Sequence, residues 1–253
     1  MHKKAEYIAV FDSGVGGISV LKELMELMPG ENYLYFGDSA NAPYGDRPTS
    51  QVRQLTMDAA AMLMERGIKA LVVACNTATA AAIKDLRAAY PDTIIIGIEP
   101  ALKLAYDRYG DGRVGVMATQ VTLREEKFSH QLERFPDMQV SLIPAPGLVE
   151  LIESGKAESE ETENLLRLLL SPYVGKLDAL VLGCTHYPFA TPMLNKILGE
   201  RTELLDGGPG VARQTKRRLE AEGLLREGEG ELLIENSLPG DSMIQLSRQL
   251  LEV

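Results

Sequence analysis

Two cysteines are the chain's only thiols, and each follows an apolar run where hydroxyl and amide residues begin. "LVVACNTATAAAIKDL" carries Cys75 and "ALVLGCTHYPFATPMLNKIL" carries Cys184. Both passages read as a buried strand passing into a helix. Asn76 or Thr77 is expected to cap the first helix, and Thr191, followed by Pro192, the second. A thiol at such a seam suits proton transfer or nucleophilic attack. The helix N-terminus lowers its pKa, unpaired N–H groups there hold a carboxylate, and strand carboxyl ends face the ligand crevice of open α/β sheets. A single cysteine is more often a small buried hydrophobe; two at the same kind of seam shift the balance to function.

His186, two residues beyond Cys184, can exchange a proton with a thiol or stabilise its thiolate. A metal centre needs further Cys or His ligands at short spacing, and only His2 and His130 remain, so no metal is expected. A Cys/His acyl-transfer site is a competing reading, but it leaves Cys75 without a role. "FDSGVGG" follows the first apolar run, yet Ser19 stands where a dinucleotide fingerprint begun at Gly14 requires glycine. Asp12 at the mouth of that turn would repel a phosphate and attract an ammonium group, unless it only shapes the turn. In "DSANAPYGDRP" the backbone N–H groups of Tyr44 and Gly45 can receive a second carboxylate. Thr119 and Thr122 begin a further helix, where either can serve only as a cap. Glu150 and Glu153 follow a strand ending near Ile143, and spacing alone does not choose which faces a cleft.

These residues need elements to position them. β-rich runs at Tyr7–Phe11, Asn32–Phe36, Ala70–Ala74, Thr93–Ile98, Arg113–Met117, Gln139–Ile143, Asp178–Leu182 and Glu203–Leu205 alternate with helical patterns. The helical patterns include Ile18–Met28, Gln51–Arg66, Thr122–Phe135 and Thr162–Leu170. The alternation predicts an α/β fold with mainly parallel sheets, and apolar runs such as "ALVV", "TIIIGI" and "ALVL" suit strands covered on both faces. A thiol-bearing strand end in each half suggests two duplicated, doubly wound units facing each other. The expected domains are 1–97 plus 208–253, and 98–207, with Val211–Val253 packing back on the first.

The net charge of −10 has the wrong sign for wrapping nucleic acid, so a small molecule is the favoured partner. No apolar run approaches the roughly 20 residues of a membrane helix, and Met1–Glu6 is a polar lead-in without a signal-peptide core. A cytoplasmic location is expected, with both thiols free.

"FDSGVGG", "PYG", "ACNTA" and "GCTHYP", in this order and spacing, resemble the motifs of the glutamate racemases of the aspartate/glutamate racemase superfamily, and the similarity covers nearly the whole chain. The resemblance implies two pseudosymmetric α/β domains with substrate in the cleft between them, often in a homodimer. It also implies cofactor-independent interconversion of L- and D-glutamate, the D form supplying peptidoglycan. By position Cys75 matches the family's base for D-glutamate and Cys184 its base for L-glutamate. Asp12 and His186 match residues that assist the thiols, and Glu153 a further acidic residue. Ser13, Tyr44, Gly45, Asn76, Thr77, Thr119 and Thr185 match substrate-contacting positions. "ENSLPGD" near the C-terminus departs from the threonine-glycine-aspartate pattern of many members. Two thiols on opposing domains would supply a base on one face of Cα and an acid on the other. A racemase acting on another acidic amino acid, such as aspartate, and a cleft-type binding protein without chemistry are the remaining readings.

Overall fold

The computed structural model describes residues 7–124 and 126–252; Met1–Glu6, the expected lead-in, lies outside them. The first part of the chain alternates strand and helix: β1 (Tyr7–Asp12), α1 (Ile18–Leu27), β2 (Asn32–Gly37), α2 (Thr49–Glu65), β3 (Ala70–Val73), α3 (Asn76–Ala89) and β4 (Ile94–Gly97). The alternation continues through α4 (Leu102–Tyr109), β5 (Arg113–Ala118), α5 (Gln120–Arg124), α6 (Glu126–Leu132), β6 (Gln139–Pro144), α7 (Leu148–Glu153), α8 (Glu160–Leu170), β7 (Ala179–Leu182), α9 (Thr191–Leu198) and β8 (Glu203–Asp206). It closes with α10 (Gly208–Ala221), β9 (Leu232–Asn236) and α11 (Ser242–Glu252).

The strands form two parallel sheets, in the orders β4-β3-β1-β2-β9 and β6-β5-β7-β8. Central strands are apolar throughout because both faces are covered: every residue of β3 and of β7 is buried. Helices bury one stripe, as α1 does with Ile18, Val20, Leu21 and Leu24. Burying side chains of that size stabilises the fold by roughly 1.5–3 kcal/mol each.

The final segment was expected only to pack back on the first part of the chain. It forms α10, which packs on α1 and β4, and β9, which joins β2 at the sheet edge. Within the helical pattern expected over Thr122–Phe135, the described residues are helical in α5 and α6, and residue 125 between them lies outside the described residues. The second ends at Leu132, and Phe135 closes a turn onto its carbonyl (2.9 Å) directly before Pro136, which disfavours helix at the preceding position. No helix among the described residues is long and apolar enough to cross a membrane.

Candidate active site

The two thiols occupy equivalent places. After β3 the Ala74 amide donates to the Phe11 carbonyl (2.7 Å), and after β7 the Gly183 amide donates to the Met117 carbonyl (2.7 Å). The next residue is Cys75 in one sheet and Cys184 in the other. Both line one solvent-open cleft, with about 650 Å³ of empty space, at the carboxyl ends of the strands, where open α/β sheets place ligands. Both are buried and unbonded to each other.

Their surroundings differ. Cys75 itself is the N-cap of α3: its sulfur accepts from the Ala78 amide (3.4 Å) and lies 3.4 Å from the Ser13 hydroxyl. Asn76 and Thr77, expected as caps, are the first helical residues, because the sulfur already occupies the capping position. The lowered pKa expected of the helix end is also corrected. Burial pushes the Cys75 thiol up to about 12, the charge of Asp12 adds to this, and the bonds from Ser13 and Ala78 only partly oppose it. At Cys184 a one-turn 3-10 helix (Tyr187–Ala190) comes before α9, so Thr191 is a first helical residue and Ala190 precedes it.

Cys184 Sγ lies 3.7 Å from His186 Nδ1, and His186 Nε2 lies 2.8 Å from Glu153 Oε1. Burial alone would pull the imidazole's pKa down. Hydrogen bonds and charge from Cys184 and Glu153 outweigh it and hold His186 well above its ordinary value. Burial likewise raises Glu153, but His186 and the Val15 amide (3.3 Å) bring it below the usual carboxylate range. Both glutamates line the cleft: Glu153 bonds the imidazole, while Glu150 is exposed to solvent.

Asp12 does not face the cleft as a free carboxylate. It is 0% exposed, accepting from the Gly14 amide (2.9 Å) and the Thr185 hydroxyl (3.0 Å). Burial raises its pKa, opposed first by the charge of His186. Gly14 and Gly16 carry the loop past the opposite wall. A Cβ on Gly14 would sit 2.0 Å from Glu153 Oε1, and one on Gly16 2.3 Å from His186 Nδ1.

Ser13, Tyr44, Gly45, Asn76, Thr77, Thr119, Thr185 and His186 all line the same cleft. Thr77 and Thr119 hydroxyls meet at 3.2 Å across the two halves, and Thr119 also caps α5 by accepting from the Thr122 amide (3.3 Å). Thr122, the alternative cap, adds a third hydroxyl 3.0 Å from that of Thr119. Asn76 Oδ1 is buried with no hydrogen-bond partner among the described residues, an acceptor suited to an ammonium N–H. Among the described residues no group of three or more His, Cys, Asp or Glu side chains could hold a metal.

Sequence reasoning missed several supports. Asp38 accepts from the Tyr44 hydroxyl (2.7 Å) and from Asn41 (3.1 Å), which fixes the loop bearing Tyr44 and Gly45. The divergent "ENSLPGD" segment braces the same loop: Asn236 donates to Ser39 Oγ (2.8 Å), and Ser237 Oγ accepts from the Ala40 amide (2.9 Å). Tyr35 donates to the Gly14 carbonyl (2.8 Å) beneath the glycine turn. The only signal for Asp38 was a carboxylate directly after a strand, beside a turn already singled out.

Paired thiols at matching strand ends, on two parallel sheets that share one cleft, form an arrangement with known relatives. Residues 19–215 match the Asp/Glu/hydantoin racemase family. A glutamate racemase of Clostridium perfringens (strain SM101 / Type A) is 47% identical over 250 residues, covering 97% of this chain and 96% of the relative. The Escherichia coli glutamate racemase, solved with L-glutamate and the activator UDP-MurNAc-ala, is 29% identical with a TM-score of 0.87, covering 98% of this chain and 95% of that one. The Francisella tularensis glutamate racemase, solved with D-glutamate, is 27% identical with a TM-score of 0.85, covering 100% and 95%. The chain belongs to the Asp/Glu/hydantoin racemase family and is an isomerase.

Proposed function

We propose that this isomerase interconverts L- and D-glutamate, with Cys75 and Cys184 acting on opposite faces of Cα and the chain's own groups serving each step. The observation that carries the reading is the equivalent placement of two buried thiols on one cleft. The L- and D-glutamate complexes of relatives support the substrate. The amino end of α3 and the Ser13 hydroxyl suit the α-carboxylate, Asn76 Oδ1 the ammonium group, and the backbone at Tyr44 and Gly45 the side-chain carboxylate. The D-glutamate formed would serve peptidoglycan synthesis.

In the L-to-D direction Cys184, as thiolate beside the protonated His186, takes the Cα proton. Cys75, held as a neutral thiol by burial, returns a different proton to the other face. The reverse direction starts from the opposite ionisation, with Cys75 as thiolate and Cys184 as thiol. Hydrogen bonds in a water-poor cleft stabilise the charge that develops on the substrate.

The test is racemisation of either enantiomer in deuterated water, with the enantiomers separated and weighed by mass spectrometry at low conversion. Resting thiols exchange with solvent, so the product should be deuterated at Cα from the first turnovers while unreacted substrate stays protiated. Protiated early product would mean a single group that carries the proton across. No change in optical rotation would refute glutamate as substrate.

A further inference from the structure

Ser19 belongs to the glycine turn but has no part in the chemistry proposed above. It lies in the first turn of α1, and its Oγ is 2.9 Å from the Gly16 carbonyl and 2.8 Å from the Thr185 carbonyl. A hydroxyl has one proton to donate. The Gly16 carbonyl already receives the Ser19 amide at 3.0 Å, so the hydroxyl is not needed there. The Thr185 carbonyl belongs to the turn after β7, 166 positions away in sequence.

That turn carries Cys184 and His186 on either side of Thr185. The first part of the chain therefore holds Thr185 at two points: Asp12 accepts from its hydroxyl at 3.0 Å, and Ser19 reaches its carbonyl. Gly16 permits the approach, since a Cβ there would lie 2.6 Å from Thr185 Oγ1. A glycine at position 19 would leave the carbonyl contact unmade, which gives the serine a physical reason.

We propose that Ser19 is a positioning residue for racemisation: by donating to the Thr185 carbonyl it fixes the turn that presents Cys184 and His186 to the cleft. The inference rests on the reading of Cys184 as a base. It does not make Ser19 a substrate contact, so its loss acts on turnover and leaves binding nearly unchanged.

The test compares the full-length enzyme with Ser19→Ala and Ser19→Thr. It measures kcat and KM for both enantiomers, thermal unfolding, and hydrogen exchange of peptides from the 183–189 turn and from α1. Ser19→Ala should lower kcat by about tenfold, the scale of one well-placed hydrogen bond and slight misalignment, with KM and the unfolding midpoint close to wild type. Exchange should quicken in the 183–189 turn and stay unchanged in α1, while Ser19→Thr retains most of the turnover. Unchanged kcat in Ser19→Ala, an equal loss in Ser19→Thr, or faster exchange confined to α1 with a lower midpoint would each overturn the proposal. A wild-type enzyme inactive on glutamate would instead remove the reading of the site, and the exchange comparison would still read the contact itself.

Discussion

Cys75 has a hydroxyl, an amide and a nearby carboxylate for company, whereas Cys184 has an imidazole tied to a glutamate. Both directions of the proposed reaction use both thiols, so Cys75→Ser and Cys184→Ser should each lower racemisation on the order of 100-fold in either direction. Near-normal turnover in a folded variant would remove that thiol from the mechanism. The shift at Cys75 also acts on stability. An unfolded thiol ionises near 9.0 and the folded one near 12, so the folded state keeps its proton longer. This contribution is fully present below pH 9 and is lost as pH rises towards 12, at up to about 1.4 kcal/mol per pH unit. Urea unfolding on either side of pH 9 should show a steeper loss in wild type than in Cys75→Ser; equal slopes would mean that the thiol is not buried as described.

The glycine turn between β1 and α1 is the element on which the site's precision depends. Gly16→Ala would drive a methyl into His186 and Thr185. Overpacking of this kind costs about 1–3 kcal/mol of stability, and turnover should fall on the order of 100-fold because the imidazole is displaced from Cys184. Activity assays and calorimetry on one preparation decide this; wild-type turnover would show that the turn gives way without cost. The central strands β3 and β7 were legible in the sequence because the apolar runs "ALVV" and "ALVL" admit few other readings, whereas the equally apolar "TIIIGI", expected to sit centrally too, forms β4 at the edge of the first sheet. β9 was not: "LLIEN" is short, half-exposed and polar at its end, as edge strands are. The cleft residues were legible because they sit in short motifs at strand ends. The burial of Asp12 was not, since its partner Thr185 lies 173 positions away and only the assembled fold brings them together. An Asp12→Asn change should therefore affect stability as well as turnover.

At the scale of the whole molecule, the two sheets meet at the cleft, and the opposite end of the first sheet is held by a buried ion pair. Lys69 and Glu31 pair there with side chains 5% and 0% exposed. The pair anchors the segment leading into β9: Lys69 donates to the Leu224 carbonyl (2.8 Å), and the Arg226 amide donates to Glu31 (2.8 Å). Glu31→Ala would strand a buried ammonium group and should cost about 3–5 kcal/mol, lowering the unfolding midpoint while turnover per folded molecule stays unchanged. A midpoint within error of wild type would sink this assignment. Strand order also bears on how the chain is born. A ribosome releases β1 early and β9 near the end, while β5 to β8 all lie between Arg113 and Asp206. The second sheet can thus acquire every strand while the first still lacks its last, leaving the outer edge of β2 bare. The half begun first is the half finished last, and the thiol at Cys184 has its full sheet beneath it before the thiol at Cys75 does.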